Sequence, residues 1–228
     1  MQHVKWIALA SAVIALACAK APDRAQGEAP ARVRLTGKCG DVIAYLNDPS
    51  PGGREVLTAP DVRSPVPGRI APPSPGLNGD LAVGFRLHEA HGGWLLVEGA
   101  ADDTVLTEAP ARPMYSGRGW IRGNGVSVGI QASQGFAEPR FASDIVMQAL
   151  EPHDLESVGE MTEVVACEGD WVRGRWTIRE PAGVRYEANA VVSRQPLVIE
   201  AWTTGICNIQ ETSCDQPPGD RPKPGQGG

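Results

Sequence analysis

The sequence predicts an all-β protein, and three observations carry that expectation. Leu81, Val83, Phe85 and Leu87 occupy every second position, as do Val126, Val128 and Ile130. That spacing puts each set on one face of an extended chain. The 27 glycines and 20 prolines exceed the roughly 12% expected for the pair and cut the chain into short runs between turns. No stretch of twelve residues keeps a helical stripe of apolar positions.

The first seventeen residues read as an export signal. His3 and Lys5 precede the uncharged run WIALASAVIALA, which is too short to cross a bilayer that needs about 20 apolar residues. Ala15-Leu16-Ala17-Cys18 resembles a bacterial lipobox, which implies acylation of Cys18 and a chain held on the periplasmic side of the envelope by its lipid. Ordinary cleavage after Ala17 is the alternative. Residues 18–38, small, polar and proline-bearing, are expected to form a flexible tether, and residues 215–228, DQPPGDRPKPGQGG from Asp215, a disordered tail. The chain has a net charge of −6, which becomes −7 once Lys5 leaves with the signal, and it has no dense Lys/Arg patch. That balance excludes nucleic acid as the expected partner.

Export also fixes the redox setting. Cys39, Cys167, Cys207 and Cys214 remain after the tether, an even number in an oxidising compartment, so two disulfides are expected. Four cysteines allow three pairings. Cys207 and Cys214 lie close in sequence and can clip a terminal turn, which leaves Cys39 with Cys167. A metal site is not expected, because no CxxC or HxxxH spacing occurs.

The folded stretch reads as a repeat. Ala59-Pro60 with Ser64-Pro65-Val66 matches Glu138-Pro139 with Ser143-Asp144-Ile145 at an offset of 79. His91-Gly92-Gly93-Trp94 matches Glu168-Gly169-Asp170-Trp171 at 77, and Trp120 matches Trp202 at 82. Self-similarity with a small drift at loops is the mark of a duplicated unit. One copy is expected over residues 39–133 and the other over 134–214.

The order of these anchors resembles the bacterial SH3 (SH3b) domain. In the first copy the segments stand as VLTAPDVRSPVPGRI, HGGWLLVEG and GRGWIRGNG, and in the second as GFAEPRFASDIVMQAL, EGDWVRGRW and EAWTTGICN. CGDVIAYLNDPSPGG, from Cys39, is similar to the lead-in strand found before some such domains. The second copy departs where Ala201 replaces the glycine of GW. The resemblance implies two tandem SH3-like small β-barrels and a binding function directed at peptidoglycan, its stem peptides or an envelope protein.

Catalytic chemistry finds little footing. His88 and His91 are expected to be solvated turn histidines on opposite faces of a strand, and Asp102-Asp103 a loop charge pair. There is no GxSxG and no phosphate loop, and the two copies use up the folded length. The expectation is a protein that is no enzyme, needs no cofactor and binds a cell-wall peptide or envelope protein. Trp94, Tyr115 and Trp120 are the candidate ligand-binding residues, placed around a shallow groove where rings stack on a ligand. Alternatives are an assembly module of an envelope complex and an accessory or inhibitor subunit of a wall hydrolase.

Overall fold

The computed structural model describes residues 34–76, 79–81, 83–102 and 112–207. The signal segment, Cys18, most of the tether, Asp103, Cys214 and the tail lie outside the described residues. Among the described residues every regular element but one short helix and two 3₁₀ turns is a strand. In chain order they are β1 (Lys38–Leu46), β2 (Arg54–Val56), β3 (Gly68–Ile70), β4 (Ser74–Gly76), β5 (Gly79–Leu81), β6 (Val83–His91), β7 (Trp94–Asp102), β8 (Gly119–Arg122) and β9 (Val126–Ser127). Then follow β10 (Gly129–Ile130), β11 (Gln134–Phe136), β12 (Ile145–Ala149), helix α1 (Leu155–Val158), β13 (Gly159–Glu168), β14 (Trp171–Ile178), β15 (Val184–Tyr186), β16 (Val191–Arg194), β17 (Leu197–Thr203) and β18 (Ile206–Cys207).

Two antiparallel sheets dominate. The first runs in the order β8-β7-β6-β1-β9, and the second in the order β13-β14-β17-β11-β12-β15, with β16 also paired to β17. Small pairs β2-β3, β4-β5 and β10-β18 complete the pattern. Each large sheet contains a tight hairpin. His91 faces Trp94 across the two-residue turn Gly92-Gly93, and both glycines have positive φ, as a type I′ turn demands. Glu168 faces Trp171 across Gly169-Asp170, where only Gly169 is positive, the need of a type II′ turn.

The duplication visible in the letters has a counterpart in the backbone. After β2, Thr58 N donates to Pro65 O, Asp61 N to Ala59 O and Ser64 N to Asp61 O. After β11, Ala137 N donates to Asp144 O, Arg140 N to Glu138 O and Ser143 N to Arg140 O. All three bonds recur at the offset of 79. The next strand repeats too, since Leu57 is paired with Trp120 and Phe136 with Trp202.

The two halves share one buried cluster, which includes Leu46, Phe85, Leu87, Leu95 and Ile121 from the first and Met147, Val164, Trp176 and Ile199 from the second. Each fully buried Leu or Ile contributes about 1.5 to 3 kcal/mol. The expected boundary at residue 133 does not separate the pairing, because β10 lies before it and pairs with β18. Further ties are the bridges Asn124 to Glu163 and Cys39 to Gly169. A disulfide joins Cys39 to Cys167, and Cys207 is disulfide-bonded as well. The last residues of the expected tether are bonded to the sheets: Thr36 donates from N and Oγ1 to the Glu168 carboxylate, and Ala90 N donates to Gly37 O.

Two local readings need correction. The alternation at Val126, Val128 and Ile130 predicts one buried face, yet Ser127 and Gly129 are buried as well. β9 pairs with β1 and packs on β13, which leaves it no solvent side. His88 and His91 do not obey the period of two either. The register of β6 shifts between Leu87 and Glu89, so Leu87 and Ala90, three apart, are both buried. His88 is part of a strand rather than a turn, and its Nε2 lies 2.7 Å from Glu98 Oε2.

Candidate functional site: a tryptophan face on the first sheet

β7 and β8 present one face built from alternate residues. Trp94 lies opposite Arg122 and Leu96 opposite Trp120, so the two indoles are diagonal neighbours across adjacent strands, within reach of large side chains. Their neighbours Leu95 and Ile121 point into the core and are fully buried. Trp94, Leu96 and Trp120 are half-buried and Arg122 is exposed. This is the division that a period of two produces when one face packs and the other does not.

The face is organised by two ring contacts. The Arg122 guanidinium carbon stands 3.8 Å from the centre of the Trp94 ring, a cation–π stack that keeps the guanidinium edge free for further hydrogen bonds. The His91 ring meets Trp120 edge-on at 5.7 Å between centroids. Leu57 locks Trp120 in place by exchanging two backbone bonds with it, both 2.8 Å.

Tyr115 belongs elsewhere. A Cβ on Gly68 would come within 2.5 Å of its ring and one on Gly117 within 2.7 Å, so the ring lies flat between two glycines that must stay bare. Its hydroxyl donates to Arg118 O at 3.3 Å, and its N–H to Arg69 O. The ring packs against the buried cluster, and among the described residues no ring contact joins it to Trp94 or Trp120. The structure therefore brings two of the three sequence candidates together and makes the third a packing residue.

The second copy carries an aromatic group that the sequence reading passed over. Trp171, equivalent to Trp94, meets Phe136 at 5.4 Å and Phe141 at 5.1 Å, and the two phenylalanines meet at 5.9 Å, all edge-on. Phe141 is 38% exposed whereas Phe136 is buried. Two of the chain's three phenylalanines fall within six residues of each other around Pro139, which was the available signal. Trp202 is buried to 2%, unlike its counterpart Trp120.

On β13, β14 and β17 of the second sheet one group of charges is paired. Arg175 reaches Glu163 at 2.6 Å and Glu200 at 3.0 Å, and Arg173 reaches Glu200 at 2.6 Å. Burial opposes the Arg175 charge, but the hydrogen bond to Glu200 and the fields of Glu163 and Glu200 outweigh it and raise its pKa. On the first sheet, Asp102 at the end of β7 is held by Arg112. No group of three His, Cys, Asp or Glu side chains among the described residues is placed to hold a metal ion. No described helix is long and apolar enough to cross a membrane. Comparison with family models, with curated proteins and with solved structures finds no match.

Proposed function

We propose that the chain is an exported, lipid-anchored binding protein made of two SH3-like copies, and that the Trp94–Trp120 face recognises peptidoglycan, its stem peptides or an envelope protein without catalysis. The observation that supports this most directly is the pair of half-buried indoles on one sheet face with Arg122 stacked on Trp94. Indole faces give apolar area for a sugar ring or peptide, and a guanidinium pairs with a peptide carboxylate in a forked geometry. In this reading the acyl group on Cys18 holds the protein at the membrane, and the tether lets the face reach the wall.

A second reading has the tandem acting as an assembly module, or as the accessory or inhibitor subunit of a wall hydrolase. The partly exposed Phe141 beside Trp171 favours it, since aromatic anchors are enriched in protein interfaces. Sedimentation of the lipid-free mature protein with purified sacculi separates the two. Pelleting with sacculi is expected; a soluble protein that instead retains an envelope protein in a pull-down replaces the first reading with the second.

A further inference from the structure

The two copies share a plan and differ in how they cover it. Trp94 and Trp171 each open the strand after a hairpin turn. Trp120 and Trp202 each pair with the residue that leads into the duplicated loop, Leu57 in the first copy and Phe136 in the second. At the tip of that loop Val62 stands where the second copy has Phe141, again at the offset of 79. The same three backbone bonds hold both loops.

The second copy covers its own platform. Phe141 meets Trp171 at 5.1 Å and Phe136 at 5.9 Å, edge-on to both, and Trp202 is all but excluded from solvent. In the first copy both covering positions are aliphatic, and Val62 at the tip is 67% exposed. Among the described residues no aromatic ring meets Trp94, and only that of His91 meets Trp120. Trp120 accordingly keeps surface that Trp202 has lost.

Charge separates the copies as well. Arg122, stacked on Trp94, corresponds at the offset of 82 to Thr204, whose hydroxyl donates to Asp170 O at 3.0 Å. Arg173 and Arg175 on the second sheet are tied to Glu200 and Glu163. Arg122 has no such acid among the described residues, so the uncovered platform is also the one that carries an unpaired guanidinium.

We propose that the Trp94–Trp120 face binds a protein segment in which an aromatic side chain stands next to an acidic one. The ring takes against Trp94 the place that Phe141 takes against Trp171, and the carboxylate pairs with Arg122. This rests on the reading of that face as a binding surface and commits it to a polypeptide. Phe141 is an internal model of the guest, a phenyl ring seated edge-on to the first indole of the strand, as ring quadrupoles favour. A guanidinium lying flat on an indole turns its N–H edge outward, where it accepts a carboxylate in forked geometry. Trp and Arg are also enriched among the side chains that anchor protein partners.

The test uses the lipid-free mature chain with 15N-labelled tryptophan and three capped dipeptides: acetyl-Phe-Asp-amide, acetyl-Phe-Asn-amide without the charge, and acetyl-Ala-Asp-amide without the ring. The first should shift the Trp94 and Trp120 indole resonances with a dissociation constant of roughly millimolar order, as befits so small a ligand. Each control should bind about fivefold or more weakly, having lost one of two anchors. Val62→Phe alters an exposed tip and gives the first copy the ring that the second already has. It should lower affinity for acetyl-Phe-Asp-amide about fivefold by covering the platform, reduce acrylamide quenching of tryptophan fluorescence, and melt no earlier than the wild type. Arg122→Gln should bring acetyl-Phe-Asp-amide down to the affinity of acetyl-Phe-Asn-amide, which keeps the proposal testable if the Val62→Phe protein fails to fold. No preference for acetyl-Phe-Asp-amide over either control, or a folded Val62→Phe protein that binds as the wild type does, would overturn it. Sedimentation with sacculi run alongside tells this failure from that of the wider reading. A protein that pellets with sacculi but ignores all three dipeptides keeps the face as a wall binder and rejects the aromatic–acidic partner.

Discussion

Cys39 in β1 is bonded to Cys167 in β13 across 128 residues of sequence, with Cα atoms 5.2 Å apart. The bond closes a contact that the backbone also makes, for Gly40 N donates to Gly169 O and Gly169 N to Lys38 O. It ties β1 of the first sheet to the β13–β14 hairpin of the second. Closing so long a loop restricts the unfolded chain strongly, by nearly 5 kcal/mol in the chain-entropy treatment. The double variant Cys39→Ser, Cys167→Ser should therefore lose about 3 to 5 kcal/mol in urea unfolding, while a loss under 1 kcal/mol would show that the backbone contact holds the two sheets alone.

Acid should destabilise the protein through two aspartates. The Arg112 side chain, bonded to Asp102 at 2.6 Å, draws the Asp102 carboxyl below its ordinary 3.8 despite burial. The Ser50 hydroxyl does the same for Asp48 against burial, helped by the Ser50 N–H and Arg54. A lowered carboxyl pKa stabilises the fold above the unfolded value, and that stability is lost as pH falls through the folded value. Asp102→Asn should cost about 2 kcal/mol near neutral pH, the worth of hydrogen bonds to a charged group. The gap between variant and wild type should then close below pH 3.8; a gap constant from pH 7 to pH 2 would deny the ion pair its role.

Gly123 should be the least tolerant glycine at the junction of the two sheets. A Cβ there would sit 1.9 Å from Val164 O, where Gly123 N donates to Gly93 O and Gly123 O accepts from Val164 N. Backbone must move to admit it, so Gly123→Ala should cost about 2 to 3 kcal/mol, in the range of overpacked cores. Gly92 makes a control. Its φ is +60° but nothing lies within 4 Å of its Cβ position, and Gly92→Ala should cost only about 1 kcal/mol for the turn geometry. Equal losses in thermal or urea unfolding would mean that the Val164 approach is not what fixes the junction.

What the letters revealed and what they hid follows from the range of the forces involved. Val83, Phe85 and Leu87 show their burial locally because a strand with one packed face must alternate. The duplicated loop showed itself because Pro60 and Pro139 punctuate it at the same place. Ser127 and Gly129 gave no such sign, since Ser127 lies in β9 between β1 and β13 while Gly129 lies in β10 and pairs with β18, a strand more than seventy residues away. The bulge that sets Leu87 and Ala90 on one side is likewise a property of the β6-β7 pair. Tyr115 looked like a groove residue because it stands five residues before Trp120, but its ring is seated on Gly117 and the distant Gly68.

The tryptophan face yields the decisive functional test, and the choice of variant depends on burial. Trp202→Ala removes a side chain exposed to only 2% and should cost about 3 to 5 kcal/mol of stability, so any binding loss it causes is uninterpretable. Tyr115→Ala would open a void over Gly68 and Gly117 and is little better. Arg122 is exposed and touches the face only through its stack on Trp94, so Arg122→Ala should cost no more than about 1 kcal/mol in folding. If the face binds a wall peptide through its carboxylate, this variant should lower retention on sacculi about tenfold or more while melting as the wild type does. Adding salt should mimic it in part, because an exposed charge pair is screened. Trp94→Ala should reduce retention further, as it removes both the indole and the platform that holds the guanidinium. A folded Arg122→Ala protein that pellets with sacculi as the wild type does, together with a Trp94→Ala protein that also does so, would remove this face from the binding reaction and leave the Phe141–Trp171 surface as the one to pursue.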